Sequence, residues 1–156
     1  MQSSITHHTP EGRAPAARWR FEVTARDIRR FCQAIGMPEP LHAADDDADA
    51  GLLAPPLFCQ AMAYRDVPPW ALAPDGSPIE LRAGPPEARV MGGASDFTVH
   101  RPVRAGETIE ICSEVMGITR KSGRSGVLDL VEVRTQYTDA DGLPVATEVA
   151  TYVKRS

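Results

Sequence analysis

The 156-residue chain contains no asparagine and only two lysines, Lys121 and Lys154. Without asparagine there is no acceptor for N-glycosylation, and neither lysine stands out as a Schiff-base nucleophile. Cysteine is scarce as well. Cys32, Cys59 and Cys112 are odd in number, far apart and without a Cys-x-x-Cys pair, which speaks against a disulfide framework or a zinc site and predicts buried free thiols. No apolar run approaches the roughly 20 residues a membrane helix needs, and the first residues lack a secretory hydrophobic segment, so a cytoplasmic protein without a membrane span is expected. The net charge of −4, with no basic stretch interleaved with aromatics, excludes a general attraction to nucleic acid.

What is present fits one globular domain: 42% hydrophobic and 24% charged residues in a chain long enough to bury a core. Residues 1–18 are polar and small without periodicity and are read as a flexible leader; residues 19–156 form the domain. "TARDIRRFCQAIG" places Ile28, Phe31, Cys32 and Ile35 on one helical face, with Thr24 and Asp27 spaced as a capping box and Gly36 as the stop. The four aspartates of "AADDDADAG" lack the ligand spacing of a calcium loop and are read as a solvated turn. "LLAPPLFCQAMAY" predicts a second helix, apolar nearly all round and therefore buried, with Pro55 and Pro56 at its start. From Asp66 to Pro86 runs a Pro/Gly-rich excursion in which Trp70 is the expected anchor. The remainder alternates as strands: "ARVMGGASDFTVHRPV", "GETIEICSEVMGIT", a basic turn "RKSGRSG", "VLDLVEVRTQYTD", and "LPVATEVATYV" after an Asp-Gly hairpin turn. The plan is α+β, an antiparallel sheet wrapped around a buried central helix.

Three phrases, "GMPEPLH", "GLLAPPLF" and "DFTVHRPVRAGETIE", resemble the MaoC-like hydratase/dehydratase group of the hotdog fold over roughly residues 20–154. The first is similar to the hydratase motif G-D-x-N-P-[LIV]-H. The other two resemble the N-terminal half of double-hotdog MaoC dehydratases and the stand-alone subunits similar to it. The resemblance implies hydration of trans-2-enoyl thioesters of coenzyme A or acyl carrier protein, or the reverse dehydration. In that chemistry an aspartate and a histidine move the protons, and backbone N–H groups at the buried helix's start hold the carbonyl oxygen. No metal and no cofactor is expected.

Against that motif Gly36, Pro40, Leu41 and His42 are kept, whereas Met37 stands in the aspartate's place and Glu39 in the asparagine's. A thioether transfers no protons. Glu39 lies two residues along, and misplacement of about 1 Å already costs about 100-fold. Pro55 and Pro56 have no N–H to offer as carbonyl donors. His42 is thus either a loop histidine kept for hydrogen bonding or a group in protonation or substrate contact. Phe58, Met62 and Tyr64 are read as core before tunnel lining, although in the hotdog fold that the resemblance implies the two overlap. Arg120, Lys121 and Arg124 are candidates for the phosphates of coenzyme A or phosphopantetheine, or else a solvated turn; His100, in a strand, reads as a sheet residue.

Three readings remain. The leading one is a tunnel-forming subunit that works with a second, catalytic MaoC-like chain. The second is a self-sufficient enzyme using His42 with Glu39 or with an aspartate of residues 45–49. The third is a non-catalytic protein binding an acyl or polyketide-like ligand. A homodimer or heterodimer is expected in any case, because hotdog sheets pair edge to edge.

Overall fold

Alternating apolar side chains over the last 70 or so residues favour extended backbone with one face inward. The computed structural model describes residues 5–8, 16–37, 41–42, 51–63, 70, 89–123 and 126–155. In chain order these form β1 (Ile5–His8), β2 (Ala17–Glu22), α1 (Ala25–Ala34), β3 (Leu41–His42), β4 (Leu52–Leu53), α2 (Phe58–Ala63), β5 (Arg89–Val99), β6 (Thr108–Gly123), β7 (Gly126–Thr138) and β8 (Pro144–Arg155). The antiparallel sheet runs β6-β7-β8-β5, with β2 and β1 one after the other along the opposite edge of β6. β3 and β4 make a separate two-stranded ribbon. This is the α+β hotdog plan, with α2 packed on the sheet's inner face. Within the stretch read as a leader, Ile5–His8 pairs with Ile118–Lys121, and Ala17 and Arg18 pair with Ser113 and Cys112.

α1 begins as its sequence predicts. Thr24 Oγ1 accepts from the Asp27 N–H at 3.1 Å and the Asp27 carboxylate accepts from the Thr24 N–H at 3.3 Å, so two donors at the helix start are satisfied. It buries Ile28 and Cys32 and ends at Gly36, whose φ of +73° suits glycine. The hairpin turn before β8 also forms: Gly142 has φ +78°, and Asp139 Oδ1 accepts from the N–H groups of Asp141 and Leu143.

Three expectations need correction. The second helix starts only at Phe58, because proline disfavours the helical region for the residue before it and the chain ahead of Pro55 stays extended. There the Ala54 N–H donates to Val103 O at 2.8 Å and Leu52 O accepts from the Ala105 N–H at 3.0 Å. Arg120 and Lys121 are in β6 and not in a turn: the ladder continues to Gly123 opposite Gly126, held in part by Arg120 gripping Asp129 across the strands. Trp70 is 86% exposed and anchors nothing; most of the excursion around it is outside the described residues.

Strand register orders the inner face into rows. Trp19, Ile111, Tyr137, Ala146 and Val99 lie in one row across β2, β6, β7, β8 and β5. With Ile109, Val145, Phe58, Met62, Ile28 and Cys32, residues of this end build the main apolar core. Phe58 stands edge-on to Phe21 and Phe31, with ring centroids 6.1 and 5.6 Å apart. The Trp19 indole N–H donates to Met62 O, tying α2 to the sheet's edge.

Candidate functional site

The motif segment leaves α1 through the left-handed Gly36. The Met37 N–H then donates to Cys32 O at 2.8 Å, and the half-buried Met37 packs against the core. The methionine is therefore an apolar plug at the end of α1. Leu41 and His42 follow as β3, with His42 opposite Leu52 and Leu41 opposite Leu53; Leu53 in turn bridges to Arg104. The motif histidine's backbone is thus carried next to the segment that leads into α2. Glu39, residues 45–49, Tyr64 and Arg124 lie outside the described residues.

Pro55 and Pro56 border a small apolar cleft of about 120 Å³, with Leu53, Cys59, Val99 and Arg101 among its walls. Pro55 contributes a carbonyl, which accepts from the Phe58 N–H at 2.9 Å, and neither proline contributes a donor. Burial pushes the Cys59 thiol up to about 11, which keeps it protonated and unsuited to nucleophilic attack. Arg101 is committed locally: it donates to Pro102 O at 2.9 Å, to Glu107 Oε2 at 2.9 Å and to Asp139 Oδ2 at 3.0 Å, bracing the cleft wall against the β7–β8 turn. Bonds from the Leu143 N–H, then the Arg101 guanidinium and the Asp141 N–H, outweigh desolvation and hold the Asp139 carboxyl below its usual range. Phe58 and Met62 are 3% and 0% exposed and line none of the described cavities, so they serve as core.

Of the basic residues proposed for phosphate, Arg120 and Lys121 are described and do not share a face. Arg120 is engaged fork to fork with Asp129, at 2.8 and 2.9 Å, and Lys121 points to the opposite face of β6. The Arg120 bonds, opposed by desolvation and helped by the charges of Arg120 and Lys154, lower the Asp129 carboxyl's affinity for protons. His100 falls one residue past the end of β5 and not within the strand, and it meets Thr147 Oγ1 at 3.1 Å. Among the described residues no group of three or more His, Cys, Asp and Glu side chains is arranged to hold a metal ion. Nor is any helix there long and apolar enough to cross a membrane.

Sequence reasoning missed a second cavity, of about 340 Å³, beside Gln60 of α2. Its floor is a polar row: Ser113, Thr135 and Glu148 are directly opposite one another on β6, β7 and β8. Ser113 and Thr135 hydroxyls bond to each other at 2.7 Å, buried. Glu148 Oε1 accepts from Gln60 Nε2 at 2.8 Å and from Ser95 Oγ at 2.7 Å. The signal was available: each row member interrupts an inward apolar series, Ile111-Ser113-Val115, Val133-Thr135-Tyr137 and Ala146-Glu148-Ala150.

A sheet wrapped on a short buried helix, with the motif segment crossing that helix's entry, defines a MaoC-like hotdog domain of the hydratase/dehydratase class. Residues 12–148 match the family described as FAS1-like, dehydratase domain region, and the chain belongs to it. A relative described only as a UPF0336 protein, from Saccharopolyspora erythraea, is 30% identical over 139 residues, covering 86% of this chain and 82% of its own. Among solved structures, the ChsH1-ChsH2 complex from Mycobacterium tuberculosis is similar with a TM-score of 0.65 and 20% identity, over 91% of this chain and 88% of the matched one. A MaoC-like dehydratase from Rhodospirillum rubrum matches with a TM-score of 0.60 and 20% identity, over 92% and 93% of the two chains. The HadBC (3R-hydroxyacyl-ACP dehydratase) complex of Mycobacterium tuberculosis matches with a TM-score of 0.56 and 22% identity, over 97% and 96%. At these identities the structural likeness speaks for the fold alone.

Proposed function

We propose that this chain is the tunnel-forming subunit of an (R)-specific enoyl-thioester hydratase or 3-hydroxyacyl-thioester dehydratase, acting on coenzyme A or acyl-carrier-protein thioesters with a second MaoC-like chain. The observation that carries the reading is Met37: where the motif has its proton-transferring aspartate, this chain has a thioether packed into its own core. The donor-free prolines at the entry to α2 add to it, since the carbonyl oxygen's N–H donors would also have to come from elsewhere. His42 is left for substrate contact or hydrogen bonding, and Pro55 and Pro56 for the wall along which the acyl thioester enters.

A partner is favoured by β5. It is an edge of the sheet, 11 residues long, exposed along almost its whole described length, with Met91 59% and Val99 39% exposed and only Arg89 and Asp96 charged. Such an edge offers its unpaired backbone groups to another strand. Whether a second copy or a different chain fills it decides between a homodimer and the heterodimer favoured here, in which the partner carries the intact Asp-containing motif. In either case the working place is the cytoplasm.

Hydration of a trans-2-enoyl-CoA by the purified chain tests this reading. Alone, the chain is expected to give negligible turnover, unchanged by His42→Ala, and turnover is expected to appear when a MaoC-like chain with an intact G-D-x-N-P-x-H is added. Strong solo turnover that His42→Ala abolishes would reject the subunit reading in favour of the self-sufficient enzyme.

A further inference from the structure

The polar row under α2 is more than the fold requires, because Ile, Val or Ala at Ser113, Thr135 and Glu148 would continue the rows on either side. It also has hydrogen-bonding capacity left over. Two hydroxyls carry two hydrogens, and the single bond between Ser113 and Thr135 uses one. Glu148 takes both of its bonds on Oε1, from Gln60 and Ser95, and among the described residues Oε2 accepts none. A spare donor and a spare anionic acceptor therefore border the same 340 Å³ cavity.

The room is made by small residues. Gly92, Gly93, Ala94 and Ala150 line the cavity, and a Cβ on Gly93 would come within 2.9 Å of Thr151 O, whereas one on Gly92 would meet nothing within 4 Å. The cavity also lies in line with the cleft beside the motif segment. Ser95 of the cavity and Val99 of the cleft are four residues apart on one face of β5, about 13 Å along the strand.

Resting on the thioester reading above, we propose that this cavity is a subsite for a hydroxyl group borne by the acyl chain, so that the protein prefers oxygenated acyl groups to plain alkyl ones. The ligand hydroxyl donates to Glu148 Oε2 and accepts the spare hydrogen of the Ser113–Thr135 pair. A plain alkyl chain would desolvate the carboxylate and hydroxyls without replacing their water, which works against it.

The test is titration of the purified chain with two probes, a straight-chain acyl-pantetheine thioester and its mid-chain hydroxylated counterpart, followed by calorimetry. The hydroxylated probe is expected to bind about tenfold tighter, as one hydrogen bond to a charged group allows. Thr135→Val and Glu148→Gln, each checked for an unchanged fold by circular dichroism, should reduce that ratio to near one, by weakening the hydroxylated probe and relieving the desolvation that opposes the plain one. Gly92→Val should weaken both probes by filling the cavity. Equal affinity for the two probes in the unaltered chain would overturn the hydroxyl subsite and leave the thioester reading standing. Binding of neither probe would overturn both.

Discussion

The two ends of the sheet's inner face are built on opposite principles. Toward α1 and the entry of α2, Ile109, Ile111, Tyr137, Val145 and Ala146 form a continuous apolar core with Phe58, Met62 and Ile28. Beyond Tyr137 the face turns polar at Ser113, Thr135 and Glu148, becomes apolar again at Val133 and Val131, and ends in the charged row Arg120, Asp129 and Lys154. Val131, Val133 and Ala150 are buried yet stand apart from the main core. The comparison teaches that one end exists to hold the domain together, whereas the other keeps polar groups and space at a cost in packing.

The largest effect should come from breaking the first end. Tyr137 is fully buried, with its ring 6.2 Å from that of Phe97, so Tyr137→Ala should cost about 3–5 kcal/mol in chemical denaturation. A loss below about 1 kcal/mol would mean that this end is not the core. At the polar row, Thr135→Val strands the Ser113 hydroxyl and should cost about 1 kcal/mol, whereas Ser113→Ala with Thr135→Val should recover most of it. A double variant as unstable as the sum of the single ones would show that the two hydroxyls do not act through their mutual bond.

At the charged end the direction of the pH effect follows from Asp129. Its carboxyl is depressed by Arg120, so its contribution is fully present above the unfolded carboxylate value, near 4, and is lost as pH falls through the lower folded value. Denaturation midpoints followed from neutral pH into that acid range should fall more steeply for the unaltered protein than for Asp129→Asn. Parallel curves would remove the Arg120–Asp129 pair from the account. The smallest effect is a control on the outer face: Arg20→Ala breaks a pair with Glu110 whose side chains are 75% and 44% exposed, and should change stability by less than about 0.5 kcal/mol.

Local signals explain which parts could be read in advance. Thr24, Asp27 and Gly36 act within a few residues of themselves, and α1 starts and stops where they say. The strand alternation and the Asp139–Leu143 turn are equally local and were legible. Pro55 and Pro56 misled as to the extent of the second helix, because what holds Leu52 to Ala54 extended is pairing with Leu41–His42 and with residues 103–105, far away in sequence. The basic turn failed for the same reason: Arg120 is drawn into the ladder by Asp129.

By itself, then, the amino-acid sequence determined the class of fold, the family, and the thioether that Met37 puts after Gly36, since periodicity, turn chemistry and residue identity are properties of short stretches. Only the tertiary structure decided that Ser113, Thr135 and Glu148 form a single row, that Gln60 and Ser95 complete it, and that Arg120 is already taken. Strand register is the physical reason: it aligns residues tens of positions apart to within bonding distance, and no local pattern encodes which of them will meet.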